Sequence, residues 1–264
     1  MRRPYVARLV WQLVRTQLMN ELQYRANVVM HLYQTVLAIG VALVTLSLVF
    51  GQVDALNGWQ RPHLLILVGE FTLVGGLLRM AVRPNLALLA ADVRGGTLDF
   101  ALLKPVDTQL LVSVRRLEIW HGVDVLTGLG VIGWGVTGLD QHVRPGDAAL
   151  FACALLLGLI IVYCFLFAMI TSAFWLVSVG ELVEMFESVY QAGRWPVTIY
   201  PDWLRFGLTF LVPISFALTV PVEALTARVS VAVLALEFVM AVVLVVFTRW
   251  LFRFALRHYT GASA

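Results

Sequence analysis

Long apolar runs constrain this chain more than any other feature of it. Val28 to Phe50, Ile119 to Leu139, Ala148 to Val179 and Val229 to Trp250 are each long and apolar enough to cross a hydrocarbon core as a helix, and His63 to Val82 joins them despite Glu70 and Arg79. The block from Ala148 to Gln191 would extend about 65 Å as a single helix, twice the core thickness. It is expected to hold two spans joined by a turn near Ser172 to Gly180. Apolar residues are 60% of the chain and charged ones 13%, which excludes an ordinary water-soluble domain. The expected fold is an all-α membrane protein with six transmembrane helices at 28–50, 63–82, 117–139, 147–171, 178–194 and 228–250, in one domain spanning 1–264.

Charge distribution gives the orientation. With the N-terminus in the cytoplasm, fourteen of the nineteen basic residues fall in the N-terminal segment, the loop around Arg79 to Arg116 and the C-terminal tail, all on the inside. The five left outside are Arg61, Arg144, Arg194, Arg205 and Arg228. These patches fit topology and anionic headgroups, and no nucleic-acid reading motif accompanies them. The first apolar run is too long for a cleavable signal and is expected to persist as a span. Cys153 and Cys164 would lie about 16 Å apart on one helix, too far for a disulfide, and read as small core residues.

The segments between the spans are informative. Residues 1–26 place Leu9, Leu13 and Leu18 among Arg8, Arg15 and Arg25, which fits an amphipathic helix on the cytoplasmic interface or an extension of the first span. The longest polar stretch, Arg83 to Arg116, contains Arg94-Gly95-Gly96-Thr97-Leu98-Asp99-Phe100-Ala101-Leu102-Leu103-Lys104-Pro105. Gly95 and Gly96 break the chain, Thr97 can cap and Pro105 stops. This predicts a two-turn helix over 94–105 exposing Leu98, Leu102 and Leu103, either seeking a partner or lying on the headgroups. The third span holds Gly128, Gly130, Gly133, Gly135 and Gly138, a pattern that permits close helix approach, moving or static. After the fifth span, Trp195-Pro196 and Tyr200-Pro201-Asp202-Trp203 lead into an apolar run broken by Pro213 and Pro221. Residues 195–225 fit two re-entrant half-helices near the outer face better than one straight span. The competing topology makes 203–224 a full span and lays 173–191 on the cytoplasmic surface.

Chemical motifs are sparse. Lys104 is the sole lysine and is followed by Pro105, so a Walker A motif is impossible and any ATP hydrolysis belongs to another polypeptide. His31, His63, His121, His142 and His258 show no zinc spacing, so no metal site is expected, and there is no G-x-S-x-G elbow. Ionisable residues inside the predicted spans are Glu70, Arg79, Asp124, Glu181, Glu184, Glu187 and Glu237. The trio Glu181, Glu184 and Glu187 shares one helix face. It reads either as an acidic stripe lining a hydrated path for a cationic or zwitterionic amphiphile, or as a polar helix end near the cytoplasmic surface.

Taken together, the 96–105 stretch, Ala173-Phe174-Trp175, the block from Trp195 to Arg205, and Leu208 to Phe216 with Val220-Pro221 resemble the ABC-2 family of ABC-transporter permeases, more narrowly its viologen-exporter-like branch. The resemblance implies a six-helix bacterial plasma-membrane subunit with both termini cytoplasmic. It would pair with a second permease and with two ATPase subunits that bind the ATP and magnesium, leaving no cofactor on this chain. It makes 94–105 the coupling helix, with Gly96, Leu98, Asp99, Leu102, Leu103, Lys104 and Pro105 meeting the ATPase. Pro196, Tyr200, Pro201, Pro213 and Pro221 fall in the outer gate. The implied role is the non-catalytic permease of an exporter of amphipathic or drug-like compounds. The alternatives are an ion-coupled secondary transporter using the intramembrane carboxylates, or a non-transporting sensory protein.

Overall fold

The computed structural model describes residues 25–140, 142–176 and 179–259. Helices carry the fold, and the only β pairing among the described residues is an isolated bridge between Leu56 and Trp59. Five helices are long and apolar enough to cross a bilayer, and six segments qualify if the bent pair 202–211 and 214–225 is counted as one. The predicted interfacial helix at 1–26 lies outside the described residues apart from its last two positions.

Helix α1 (Arg25–Phe50) carries many outward-facing apolar side chains, among them Val29, Tyr33, Val41 and Leu48. Helix α2 (Arg61–Leu77) starts with Pro62 in its first turn and with the Gln60 N–H donating to His63 Nδ1 at 3.3 Å. It continues through a π turn (Leu78–Val82) into α3 (Arg83–Gly95). The rod from Arg61 to Gly95 has 35 residues, about 52 Å, so it outruns a hydrocarbon core by some 20 Å. The second span was expected to end at 82. Pro84 is accommodated within the continuation by the π turn at Leu78–Val82 just before it, where the hydrogen-bond ladder is already shifted, and Leu86, Leu89 and Ala90 supply a buried stripe. Gly96, in the left-handed region at φ +68°, ends the rod.

Two short helices follow, α4 (Asp99–Leu102) and α5 (Thr108–Ser113), the latter capped by Asp107, which accepts from the Leu110 N–H at 3.0 Å. A 3₁₀ turn leads to α6 (Gly122–Thr137), and α7 (Pro145–Thr171) starts at Pro145 with Asp147 accepting from the Arg144 N–H. Helix α6 packs on α2 almost backbone to backbone. A Cβ added at Gly69 would lie 2.7 Å from the Ile132 nitrogen, and one at Gly128 2.6 Å from the Leu73 nitrogen. Gly135 also faces α2, whereas Gly130 and Gly133 have nothing within 4 Å. The glycine-rich helix thus uses only one of its faces for tight packing. Cys164 is buried as expected; Cys153 is exposed, because it lies on the outer face of α7.

Helix α8 (Val179–Tyr190) and the 3₁₀ turns after it run antiparallel to α2. Glu187 meets Arg83 at 3.2 Å, Tyr190 donates to the Phe71 carbonyl at 2.9 Å, Arg194 lies over the Phe71 ring at 5.3 Å, and Trp59 donates to Thr198 at 2.9 Å. From there α9 (Asp202–Phe206) and a π turn (Gly207–Leu211) meet α10 (Ile214–Leu225) at 101°, with buried Pro213 at the corner. The Val197 N–H donates to Thr219 at 3.3 Å, and Arg228, just past α10, donates to the Gly58 carbonyl at 2.8 Å, so α10 returns to the Trp59 end of the bundle. Helix α10 is buried from Ile214 to Val222 and seats against α7 at Gly158. Helix α11 (Val231–Arg257), capped by Ser230, lies along α7 and closes the chain.

Candidate functional site

The end of the bundle opposite Trp59 holds α3, α4 and α5. The expected two-turn helix over 94–105 is reduced to the single turn of α4, and Thr97 does not cap it: its hydroxyl donates instead to Asp92 at 2.9 Å, and Leu98 occupies the cap position. Leu98 is also fully buried rather than exposed, because Gly96 turns the chain back onto α3 and drives the first leucine under the loop. The apolar face left outside is Phe100, 72% exposed, and Leu103, 81% exposed, with Leu102 and Leu110 beside them. Asp99 is half-buried, and Lys104 and Pro105 are exposed on the same loop.

Side chains that tie this loop to the long helices carried no sequence signal. Asp107 pairs with Arg249 of α11, and Arg115 with Asp92 of α3. Asn85, buried on α3, donates to the Arg116 carbonyl at 2.6 Å and accepts from the Arg116 N–H at 2.8 Å, clamping both backbone groups of one residue. Asn85→Ala leaves that buried pair unmatched. It is expected to destabilise the chain by about 1–3 kcal/mol, read as a lower Tm of the purified protein. The Arg249 guanidinium hydrogen-bonded to Asp107 holds its carboxyl below the usual aspartate range. A depressed folded value means the pair contributes fully above the unfolded value of about 3.9 and fades as pH falls through the lowered one. The Tm difference between wild type and Asp107→Asn is therefore expected to be constant from about pH 8 to pH 5 and to vanish only in stronger acid.

A second polar centre lies where α1, α2 and α6 converge. Asp124 accepts from Thr35, from Arg79 Nη2 at 3.1 Å and from His121 Nδ1 at 3.2 Å. His31 meets the His121 ring edge-on at 4.6 Å. Arg79 and Asp124 stood out in the sequence only as isolated intramembrane charges. Their opposite signs near the same end of adjacent antiparallel helices were the available signal. A crevice of about 340 Å³ opens beside them, lined by Gln34, Arg79, Asp124, Gln191 and Arg194.

The acidic trio lies on α8. Glu181 and Glu184 are exposed on α8, while Glu187 is half-buried and pairs with Arg83. Of the gate residues, Pro196, Pro213 and Pro221 are buried, Pro201 precedes α9, and Tyr200 donates to the Ala192 carbonyl at 2.8 Å. Glu70 and Glu237 are fully buried with no hydrogen-bond partner among the described residues. No group of three or more potential metal ligands occurs among those residues.

A family model described as ABC-2 family transporter protein matches residues 36–263. No curated protein and no solved structure matches the chain.

Proposed function

The chain belongs to the ABC-2 transporter family, and from that premise we propose that it is the transmembrane permease subunit of an ATP-driven exporter that moves an amphipathic compound out of the cytoplasm or inner leaflet. ATP and magnesium would be bound by a separate ATPase dimer, and a second permease copy or relative would complete the transmembrane pair. The observation that carries this reading is the exposed apolar face of Phe100, Leu102 and Leu103 on a loop braced to the long helices. An exposed apolar cluster of this kind, past the end of a rod longer than the hydrocarbon core, fits a protein partner better than headgroups.

In this reading the α4 end is cytoplasmic and the protein lies in the bacterial plasma membrane. The α9–α10 hairpin dips from the outer face with its corner at Pro213. Closure of the ATPase dimer presses on 94–105. Asp107 passes the displacement to α11 through Arg249, and Asn85 and Asp92 pass it to α3, which is continuous with α2. Because α2 and α6 touch through glycines, they move as one body against the α7–α10 pair. Co-expression with a candidate ABC ATPase from the same genome is the direct test. A stable complex whose ATPase activity responds to amphiphiles is the expected result, and a chain that purifies alone and transports without nucleotide would refute it.

A second reading, ion-coupled transport, draws on the unpartnered carboxylates Glu70 and Glu237. Transport that persists without an ATPase and collapses with the proton gradient would favour it.

A further inference from the structure

Arg194 stands out among the basic residues. Positive-inside counting puts it among those left at the outer surface, yet its guanidinium lies over Phe71, ten residues along α2 from Arg61. That is about 15 Å along the axis from the start of the helix, within the apolar part of the rod, and Arg194 is exposed there rather than enclosed by protein. No carboxylate among the described residues pairs with it. An exposed, unpaired cation beside an apolar helix needs an anion or water rather than lipid tails.

What surrounds Arg194 has two parts. On one side is the crevice beside Asp124, whose charge is already matched by Arg79 and hydrogen-bonded by His121 and Thr35. Arg194 is therefore the excess charge there. On the other side, a further hollow of about 150 Å³ continues along α1 and α2, lined by Val41, Ala42, Leu46, Val68 and Trp195. The two hollows share Ala38, Ile39, Phe71, Thr72 and Arg194, so the guanidinium stands at their junction, between a polar chamber and an apolar groove.

The geometry points to a binding site for an anionic amphiphile, with a carboxylate or phosphate headgroup on Arg194 and its tail in the groove along Val41, Ala42 and Val68. This names a substrate class for the exporter proposed above and rests on that reading for its role, though not for its binding chemistry. It is opposite in sign to the substrate drawn from Glu181, Glu184 and Glu187, the last of which is paired with Arg83. Guanidinium–carboxylate bonding is strong where water is scarce, and the Phe71 ring under Arg194 helps hold the guanidinium at the junction of the two hollows.

The test measures binding, not transport. The full chain in neutral phosphatidylcholine nanodiscs is titrated at alkaline pH with spin-labelled stearate, and quenching of Trp195 is read as the difference between wild type and Trp195→Phe. The expected result is roughly tenfold tighter binding of the acid than of its methyl ester, with the difference lost in Arg194→Gln and largely kept in Arg194→Lys. Butyrate, a headgroup without a tail, is expected not to displace the probe at equal concentration. Equal binding of acid and ester, preference for a trimethylammonium analogue, displacement by butyrate, or an Arg194→Gln variant that discriminates as wild type does would each overturn the site. A variant that loses dimerisation while wild type shows no discrimination would place Arg194 against a second copy, and that too overturns it. Discrimination in a chain that binds no ATPase would leave the site standing and remove the exporter reading.

Discussion

Replacing Gly158 by valine is expected to abolish accumulation of folded, monodisperse protein. A Cβ at this position would lie 2.4 Å from the Phe216 carbonyl oxygen and 2.5 Å from the Ala217 Cα. These are backbone atoms of α10, which no rotamer change can move aside. Helix α10 is buried along its length between α7 and its neighbours, so it has nowhere to retreat without opening a gap elsewhere. Overpacking where side chains can adjust costs about 1–3 kcal/mol, and here relief requires separating two helices, so the effect should exceed that range. Gly130→Ala is the matched control. Nothing lies within 4 Å of Gly130, and alanine is favoured in helices by about 1 kcal/mol, so this variant should elute and melt like wild type or slightly above it. Size-exclusion profiles and melting curves of the two variants together test the packing. A monodisperse Gly158→Val protein of unchanged Tm would show that α7 and α10 do not meet as described.

Leu103→Asp is expected to separate folding from assembly. Leu103 is 81% exposed, so an aspartate there should leave the isolated chain's Tm unchanged within experimental error. Beside Phe100 at 72% exposure, however, it sits on the apolar face proposed above to meet the ATPase. Placing a charge in the core of an interface typically costs 2 kcal/mol or more, about a thirtyfold loss of affinity, and the ATPase should no longer co-purify. Leu98 is unsuitable for this purpose, since it is buried and its substitution would disturb the loop itself. A Leu103→Asp chain that keeps its ATPase and full substrate-stimulated turnover would move the docking surface elsewhere.

The two variants also show why parts of the site were legible in the sequence and parts were not. Leu102 and Leu103 could be named because a glycine pair and a proline bracket a few apolar residues in a polar stretch, whereas Phe100, 72% exposed, was not singled out. Leu98 and Thr97 were misplaced because the left-handed turn at Gly96 decides which side chain faces α3, and a glycine pair does not announce its handedness. Asn85, Asp107 and Arg249 left no pattern at all. Their partners lie 31 and 142 positions away, and nothing local distinguishes an asparagine that clamps a backbone from one that faces water. For Glu181, Glu184 and Glu187 the regular spacing is legible in the sequence, whereas the pairing of Glu187 with Arg83 is not.

What the sequence by itself determined is the solvent and the class of element. Hydrocarbon cannot satisfy backbone polar groups, so long apolar runs must become helices, and that inference needs only length and hydropathy. Tertiary structure alone decided how deep each charge sits and what it faces. Arg194 counts as an outer-surface residue by charge alone, and its place over Phe71, ten residues into α2, follows only from the 187–198 segment running antiparallel to α2. Depth is set by which helices approach closely enough to touch. That depends on backbone contacts at Gly69, Gly128 and Gly158, where the absence of a side chain, not the presence of one, carries the information.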